Sequence, residues 1–96
     1  MTLSITHNKE ASRFEAALQG LHAECSYRRH GDLLDLHHTE VPPALQGQGV
    51  AAALVRAALD WARSESLRVR PSCSYVASYM RRHPDTQDLL ESADTA

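Results

Sequence analysis

One glycine-containing turn in the chain has the residues needed to bind a phosphate group. Residues 41–51 (VPPALQGQGVA) end an apolar strand pattern, turn at Gly47 and Gly49, and open an amphipathic helix pattern. The first amides of a helix lack intrahelical partners and carry about half a positive charge, so they attract an anion. Because glycine has no Cβ, the backbone can approach a pyrophosphate closely and adopt positive φ. The segment predicts a pyrophosphate cradle; the alternative is an ordinary strand-to-helix turn.

Two other phosphate motifs are excluded at this turn. A dinucleotide fingerprint needs a third glycine, and position 52 is alanine. A P-loop needs Gly-Lys followed by Ser or Thr, and that sequence does not follow Gly49. The turn therefore lacks the lysine and the hydroxyl that would bind a γ-phosphate with magnesium.

Cys73 is the candidate nucleophile of the chain. It follows a strand pattern at the predicted start of a helix, with Arg68 and Arg70 close in sequence. A helix N-terminus lowers the pKa of a cysteine from about 8.5 to near 7 or below, which favours the thiolate. The alternative for Cys73 is a small buried hydrophobe. That is the role we assign to Cys25, which lies in the middle of a strand pattern.

Two candidate bases precede the glycine turn. His38 and Glu40 are two residues apart in a strand pattern, so their side chains share a face of the strand. The unperturbed histidine pKa of about 6.5 suits a base near neutral pH, whereas glutamate needs burial to raise its pKa. His37 and His38 do not predict a zinc site, because adjacent strand residues face opposite sides and no further ligands stand at metal-binding spacing.

These candidate residues must be positioned by strands that precede the glycine turn and by helices that follow it. A hairpin is predicted over residues 13–18 and 21–29 around Gln19 and Gly20, followed by a turn over residues 30–32. The remaining predictions are a strand over 33–41, a helix over 50–65, a strand over 67–70, a helix over 73–82 that Pro84 ends, and a last turn over 85–90.

Side-chain periodicity assigns faces within two of these elements. In the strand over 33–41, alternation puts one set of residues on one face, Leu34, Leu36, His38 and Glu40, and the other set opposite, Leu33, Asp35, His37, Thr39 and Val41. In the helix over 50–65, apolar residues recur at helical spacing and predict a core-facing stripe: Val50, Leu54, Ala57, Ala58 and Trp61.

Length and composition limit the possible functions. The chain has 96 residues, 43% of them hydrophobic, which predicts a single domain over 1–96 and excludes a second catalytic domain within them. The net charge of -2 gives no general attraction to nucleic acid or anionic membranes. The two cysteines show no disulfide or zinc spacing, and no segment resembles a signal peptide or membrane span. We expect a cytoplasmic monomer with reduced thiols, no metal, and no nucleic-acid or membrane partner.

The spacing Gln46-x-x-Gly49-x-Ala51 resembles the pyrophosphate-binding signature, Arg/Gln-x-x-Gly-x-Gly/Ala, of the GNAT superfamily of acyl-CoA-dependent N-acetyltransferases. Other segments extend the likeness to the minimal YjdJ-type GNAT-like proteins: residues 38–42 (HTEVP), 61–63 (WAR), 70–76 (RPSCSYV), Tyr79 and 82–84 (RHP). Larger GNAT enzymes place helices between their first two strands, for which this chain has no room. The predicted fold is α+β (mixed α/β), with a mostly antiparallel sheet and a strand-helix-strand-helix C-terminal half.

The resemblance implies an acetyl-CoA-dependent N-acetyltransferase, with acetyl-CoA as co-substrate and an unidentified amine as acceptor. It places the pyrophosphate at the turn, on Gln46, Gly47, Gln48, Gly49, Val50 and Ala51. It places the pantetheine between two splayed strands, against the backbone of Thr39, Glu40 and Val41. It also puts Cys73 beside the acyl group, either as a covalent acetyl relay or as a positioning group.

Some assignments stay open. Tyr75 and Tyr79 share a helix face, and either hydroxyl could donate to the leaving thiolate, as in many GNAT enzymes, or pack in the core. Arg82 reaches the 3′-phosphate of coenzyme A or is simply favoured by the helix dipole. The alternative functions are a non-catalytic acetyl-CoA-binding module and, more distantly, an interaction domain that binds no coenzyme A. Residues 91–96 are expected to fray.

Overall fold

A five-stranded sheet forms one layer of the fold and two helices form the other, in a computed structural model that describes residues 3–91. The elements in chain order are β1 (Ile5–Asn8), β2 (Arg13–Leu18), β3 (Leu21–His30), β4 (Leu33–Glu40), a 3-10 turn (Pro43–Leu45), α1 (Val50–Ser64), β5 (Arg68–Arg70), α2 (Ser74–Arg82) and a second 3-10 turn (Pro84–Leu89). The strands lie in sequence order, and only the β4–β5 pair is parallel. The predicted α+β class and the mostly antiparallel sheet are confirmed.

The predicted hairpin and both predicted helices are present, with ends shifted by one residue at most. β1 was not predicted. Its sequence, ITHN, has a single large apolar residue and gives no alternating pattern. Antiparallel pairing with β2, from Ile5 opposite Ala16 to Asn8 opposite Arg13, supplies the order that local sequence does not indicate.

A β-bulge in β4 overturns the predicted faces of that strand. Ser26 pairs with His38 and Tyr27 pairs with Leu36, so His37 is an extra residue on β4. An extra residue reverses the alternation that follows it. Thr39 therefore shares the helix side of the sheet with Leu36, while His38 turns to the outer side. The prediction that Leu34 and Leu36 share a face with His38 and Glu40 is wrong, although His38 and Glu40 do share one.

The core lies between the sheet and the helices. Leu34 and Leu36 of β4 and Val69 of β5 are completely buried on the helix side. α1 contributes a stripe of buried residues that includes three of the five predicted ones: Val50, Leu54, Val55, Ala58, Leu59 and Ala62. Burial of one such leucine side chain contributes about 2 kcal/mol. Trp61 and Ala57 are only partly buried and pack against the margin of this core.

The C-terminal segment is held against the two layers by charged pairs. The second 3-10 turn overlaps the predicted turn over 85–90, and its Leu89 is buried. Glu91 accepts two hydrogen bonds from Arg70, at 2.7 and 2.9 Å. The rest of the predicted frayed tail, residues 92–96, lies outside the described residues. Within residues 3–91, neither helix has the length and apolar character needed to cross a bilayer.

Candidate functional site

A cavity of about 510 Å³ opens where β4 ends and α1 begins. Its lining comes from the last residues of β4, the glycine turn, the first turn of α1 and one residue of α2: Thr39, Val41, Leu45, Gln46, Gly47, Gly49, Val50, Ala51, Ala52 and Tyr75. Seven of the residues predicted for the pyrophosphate and pantetheine contacts lie in this lining: Thr39, Val41, Gln46, Gly47, Gly49, Val50 and Ala51. The structure therefore gathers the two predicted subsites around one cavity.

The glycine turn leaves helix amides open to the cavity. Gly47 and Gly49 have φ of 81° and 80°, in the left-handed region, and a Cβ placed on either would meet no atom within 4 Å. The amide of Ala53 makes the first intrahelical bond, to the carbonyl of Gly49 at 3.0 Å. The amides of Val50 and Ala51 precede that bond, so they are available to an anion. The empty space and the free donors together fit a phosphate group.

Two glutamines brace the turn. Gln46 donates from Nε2 to the Val41 carbonyl at 3.0 Å, and Gln48 donates from Nε2 to the Ala44 carbonyl at 3.0 Å. Both were predicted as pyrophosphate contacts. In the structure their side-chain amides tie the start and middle of the turn to the segment that follows β4. Gln46 still lines the cavity, whereas Gln48 does not.

β4 and β5 part beside this cavity. Their parallel pairing runs from Leu33 opposite Arg68 to Asp35 opposite Arg70 and then stops, although β4 continues to Glu40. Past that point the Cys73 amide donates to the Leu36 carbonyl at 2.9 Å. The end of this pairing agrees with the parting of the two strands that the family resemblance implies. The start of α2 lies against the half of β4 that pairs with β3 but not with β5.

Cys73 caps the N-terminus of α2 and is partly buried. Its Sγ lies 3.6 Å from Oγ1 of Thr39, and that oxygen lies 3.8 Å from Sγ of Cys25. Cys25 is completely buried, as predicted. Burial raises the pKa of the Cys25 thiol to about 11, an effect that the Thr39 hydrogen bond opposes and the neighbouring Cys73 reinforces.

The arginines near Cys73 in sequence have partners elsewhere. Arg70 pairs with Glu91, and Arg68 donates to the Asp88 carbonyl at 2.8 Å. The guanidinium of Arg70 beside Glu91 holds the pKa of that carboxyl below its usual value. Both arginines therefore help to hold the C-terminal segment in place.

His38 and Glu40 form a pair on the outer side of the sheet. Nε2 of His38 lies 3.2 Å from Oε1 of Glu40, and both side chains are exposed. Because Thr39 between them faces the cavity, these two predicted bases point away from it. Glu40 was also predicted to contact pantetheine through its backbone, and its side chain is not part of the cavity lining.

The two tyrosines of α2 differ in their surroundings. Tyr75 lines the cavity. Tyr79, one turn later, is buried and its hydroxyl accepts a hydrogen bond from Nε of Arg56 at 2.8 Å. Two roles were left open for Tyr79, donation to the leaving thiolate and packing in the core. Its burial and its hydrogen-bonded hydroxyl favour packing in the core. Arg82 stands at the last residue of α2, about 10 Å along the helix from Tyr75, and is not in the cavity lining.

Two lining residues were not predicted. Leu45 is completely buried in the 3-10 turn after β4, and Ala52 lies in the first turn of α1. A signal for Ala52 was present, since its amide is among the first of the helix. Leu45 had none, because only the tertiary fold decides which side of a short turn is buried. The side-chain hydroxyl of Thr39 was also missed, since only backbone contacts were assigned to that residue.

Comparisons with known proteins agree with this geometry. A family profile described as GCN5-related N-acetyl-transferase matches residues 13–89. Protein NATD1 of Mus musculus is 36% identical over 90 residues, which cover 91% of this chain and 82% of that protein. The human protein of the same name is also 36% identical and is covered to 80%. A GCN5-like protein of Staphylococcus aureus, solved by NMR, superimposes with a TM-score of 0.73 at 28% identity, covering 92% of this chain and 87% of that one.

Proposed function

The chain belongs to the GCN5-related N-acetyltransferase family, and we propose that it transfers the acetyl group of acetyl-CoA to an amine of a protein or peptide. One observation carries the proposal. Free helix amides open onto one cavity, and Cys73, next to that cavity, has its Sγ 3.6 Å from Oγ1 of the lining residue Thr39. That arrangement suits a long ligand with a phosphate group and a reactive thioester.

Backbone groups would carry most of the ligand recognition. The amides at the start of α1 would hold the pyrophosphate, and the α1 dipole would add to their attraction. The cavity lining contains no arginine or lysine among the described residues, so these donors have no cationic side chain to assist them there. The edge of β4 that β5 leaves unpaired, at Thr39, and Val41 just after the strand would bond the pantetheine amides as a neighbouring strand would.

Cys73 would act as a relay. The Cys73 thiol gives its proton to water, its sulfur then forms a thioester bond with the acetyl carbon while the bond to the coenzyme A sulfur breaks, and the departing thiolate takes up a proton from water. The hydroxyl of Tyr75, in the cavity, can assist by donating a hydrogen bond to that thiolate. The amine then takes the acetyl group, and Cys73 recovers a proton from the amine. In direct transfer, Cys73 would only position the thioester.

The acceptor would approach from the outer side of the sheet. His38 and Glu40 lie there, at the level of the cavity residue Thr39. Both helices pack on the other side, so this polar face is open to a large substrate. A base on this face would take the proton of the amine directly or through water.

One observation favours a second function, a non-catalytic acetyl-CoA-binding module. The cavity lining includes no histidine or carboxylate among residues 3–91, because the bulge at His37 turns His38 and Glu40 outwards. Such a protein would keep the glycine turn and the splayed strands without a base beside the thioester.

Calorimetric titration with acetyl-CoA tests both functions. We expect saturable binding at one site, with stabilisation of about 2.7 kcal/mol at a hundred times the Kd. Gly47→Asp should abolish binding, because it places a carboxylate where the phosphate would lie. Gly20→Asp, in the β2–β3 turn at φ 74°, is the matched control and should bind normally. Absence of binding by the wild-type protein would overturn both functions.

Mass spectrometry after incubation with acetyl-CoA separates the two functions. An enzyme working by relay should carry an acetyl group on Cys73, and lysine-containing peptides should become acetylated. Cys73→Ala should lose both signals while still binding acetyl-CoA. Peptide acetylation that survives in Cys73→Ala would show direct transfer. Binding with neither acetylated Cys73 nor acetylated peptide would identify the module.

A further inference from the structure

The hydroxyl of Thr39 joins two sulfur atoms that come from different elements. Cys25 belongs to β3 and stands directly opposite Thr39 in the sheet. Cys73 occupies the N-cap position of α2, where the hydrogen bond from its N–H to the Leu36 carbonyl holds it against the part of β4 that β5 leaves unpaired. The distances from Thr39 Oγ1 are 3.6 Å to Sγ of Cys73 and 3.8 Å to Sγ of Cys25. The bulge at His37 makes this meeting possible, since without it Thr39 would face outwards.

The two hydrogen bonds that link Cys73, Thr39 and Cys25 run in the same direction. A hydroxyl can donate one hydrogen bond and accept others, whereas a thiol is a weak donor and a weak acceptor. The Cys73 thiol donates to Oγ1 of Thr39, and the Thr39 hydroxyl donates to Sγ of Cys25. The Cys25 thiol is completely buried and its pKa is raised to about 11, so it stays protonated near neutral pH.

We propose that Thr39 is a positioning residue for Cys73, whose hydroxyl orients the Cys73 thiol and turns to donate to the sulfur once that thiol has lost its proton. The proposal rests on the proposed function, in which Cys73 receives the acetyl group. A charged thiolate is a stronger hydrogen-bond acceptor than the neutral sulfur of Cys25. The hydroxyl therefore stabilises the form of Cys73 that attacks, and its rotation needs no movement of the backbone.

Titratable side chains near Cys73 on this side of β4 come from β3 and from α2. Cys25 faces Cys73 from β3 and Tyr75 follows it on α2, whereas His38 and Glu40 point to the outer side. A substitution at Thr39 leaves both of these groups, Cys25 and Tyr75, unchanged.

The test is the rate of Cys73 alkylation by iodoacetamide between pH 6 and pH 10, with peptide mass mapping to separate Cys73 from Cys25. Thr39→Val keeps the side-chain shape but removes the hydroxyl. We expect Thr39→Val to be alkylated about tenfold more slowly than the wild type, because its Cys73 sulfur lacks the hydroxyl that orients it. Thr39→Ser retains a hydroxyl and should restore the wild-type profile.

Thr86→Val is the matched control, because Thr86 is also buried and its hydroxyl donates to the His83 carbonyl at 2.7 Å, outside the cavity. It should lose stability without changing Cys73 reactivity. A folded Thr39→Val protein whose profile superimposes on that of the wild type would overturn the proposal. So would equally slow alkylation in Thr86→Val. Alkylation needs no acetyl-CoA, so failure of the proposed function in calorimetry is recognised separately.

Discussion

The backbone at Gly47 and Gly49 occupies a region of φ that L side chains rarely adopt. The space above both residues is also empty. The glycines therefore permit the positive φ and leave room for a phosphate, and a substitution of either one affects both properties. Gly31, in the β3–β4 turn, has φ of 59° and equally empty surroundings, but it lies at the opposite end of β4 from the cavity. A side chain at Gly31 therefore introduces comparable backbone strain at a position away from the proposed phosphate site.

Gly49→Ala and Gly31→Ala should each lower the free energy of unfolding by about 1 kcal/mol, because alanine is strained at positive φ. Gly49→Ala alone should weaken acetyl-CoA binding, by about tenfold or more, because its methyl group occupies the space over the helix amides. Urea unfolding measures the first effect and calorimetry the second. Equal binding by the two variants would contradict the assignment of this turn to the pyrophosphate.

The position of α2 on α1 determines which tyrosine reaches the cavity. Arg56 of α1 donates to the Tyr79 hydroxyl and also pairs with Asp85 at 2.9 Å. The Tyr79 ring stacks on His83, with ring centroids 3.9 Å apart. These contacts fix α2 by its second half. They leave Tyr75, one turn earlier, at the cavity wall.

Tyr79→Phe should therefore cost stability and Tyr75→Phe should cost activity. The first change removes the hydrogen bond to the partly exposed Arg56, worth about 1 kcal/mol or less, and should leave acetyl-CoA binding unchanged. The second should keep the unfolding midpoint but slow acetyl transfer by about a hundredfold, if its hydroxyl assists the leaving thiolate. Thermal melts and acetylation rates give both values. Loss of activity in Tyr79→Phe without loss of stability would reverse these roles.

Side-chain contacts at two places away from the cavity hold the elements of the fold together. At one, His7 of β1 stacks on Phe14 of β2, with centroids 4.0 Å apart, and hydrogen-bonds to the Tyr27 hydroxyl of β3 at 2.7 Å. Trp61 of α1 meets the same histidine edge-on at 4.4 Å. At the other, Arg63 bonds both carboxylate oxygens of Asp88, which holds the pKa of that carboxyl below its usual value. Each place joins elements that are distant in sequence.

The His7 cluster predicts a pH dependence of stability. Burial, reinforced by the charge of Lys9, lowers the pKa of His7 below its ordinary value of 6.5. The unfolded chain therefore takes up a proton before the folded chain does, so stability is complete above about pH 6.5 and falls as pH drops towards the lowered pKa.

Thermal melts between pH 7.5 and pH 5.5 measure this effect. The wild-type melting temperature should fall across the range. His7→Gln keeps a partner for Tyr27 but does not titrate, so its melting temperature should change less. His30→Gln, at the exposed end of β3, should behave as the wild type. An unchanged slope in His7→Gln would show that the dependence arises elsewhere.

Local patterns in the chain were sufficient for much of the fold and for the glycine turn. The helical spacing from Val50 onwards, the hairpin around Gly20 and the two glycines before α1 are short-range signals, because each depends on a residue and its near neighbours. The residues around the cavity were therefore largely predictable. β1 was not, since its four residues are ordered only by pairing with β2.

Which side of the sheet each residue of β4 faces was decided by tertiary structure alone. A bulge arises from the register between two strands, and nothing within residues 33–41 marks His37 as the extra residue. That one insertion turns His38 and Glu40 outwards and brings Thr39 between Cys25 and Cys73. The amino-acid types supplied the chemical groups, but the pairing of β4 with β3 determined which of them meet, because strand alternation transmits a single shift to every residue that follows it.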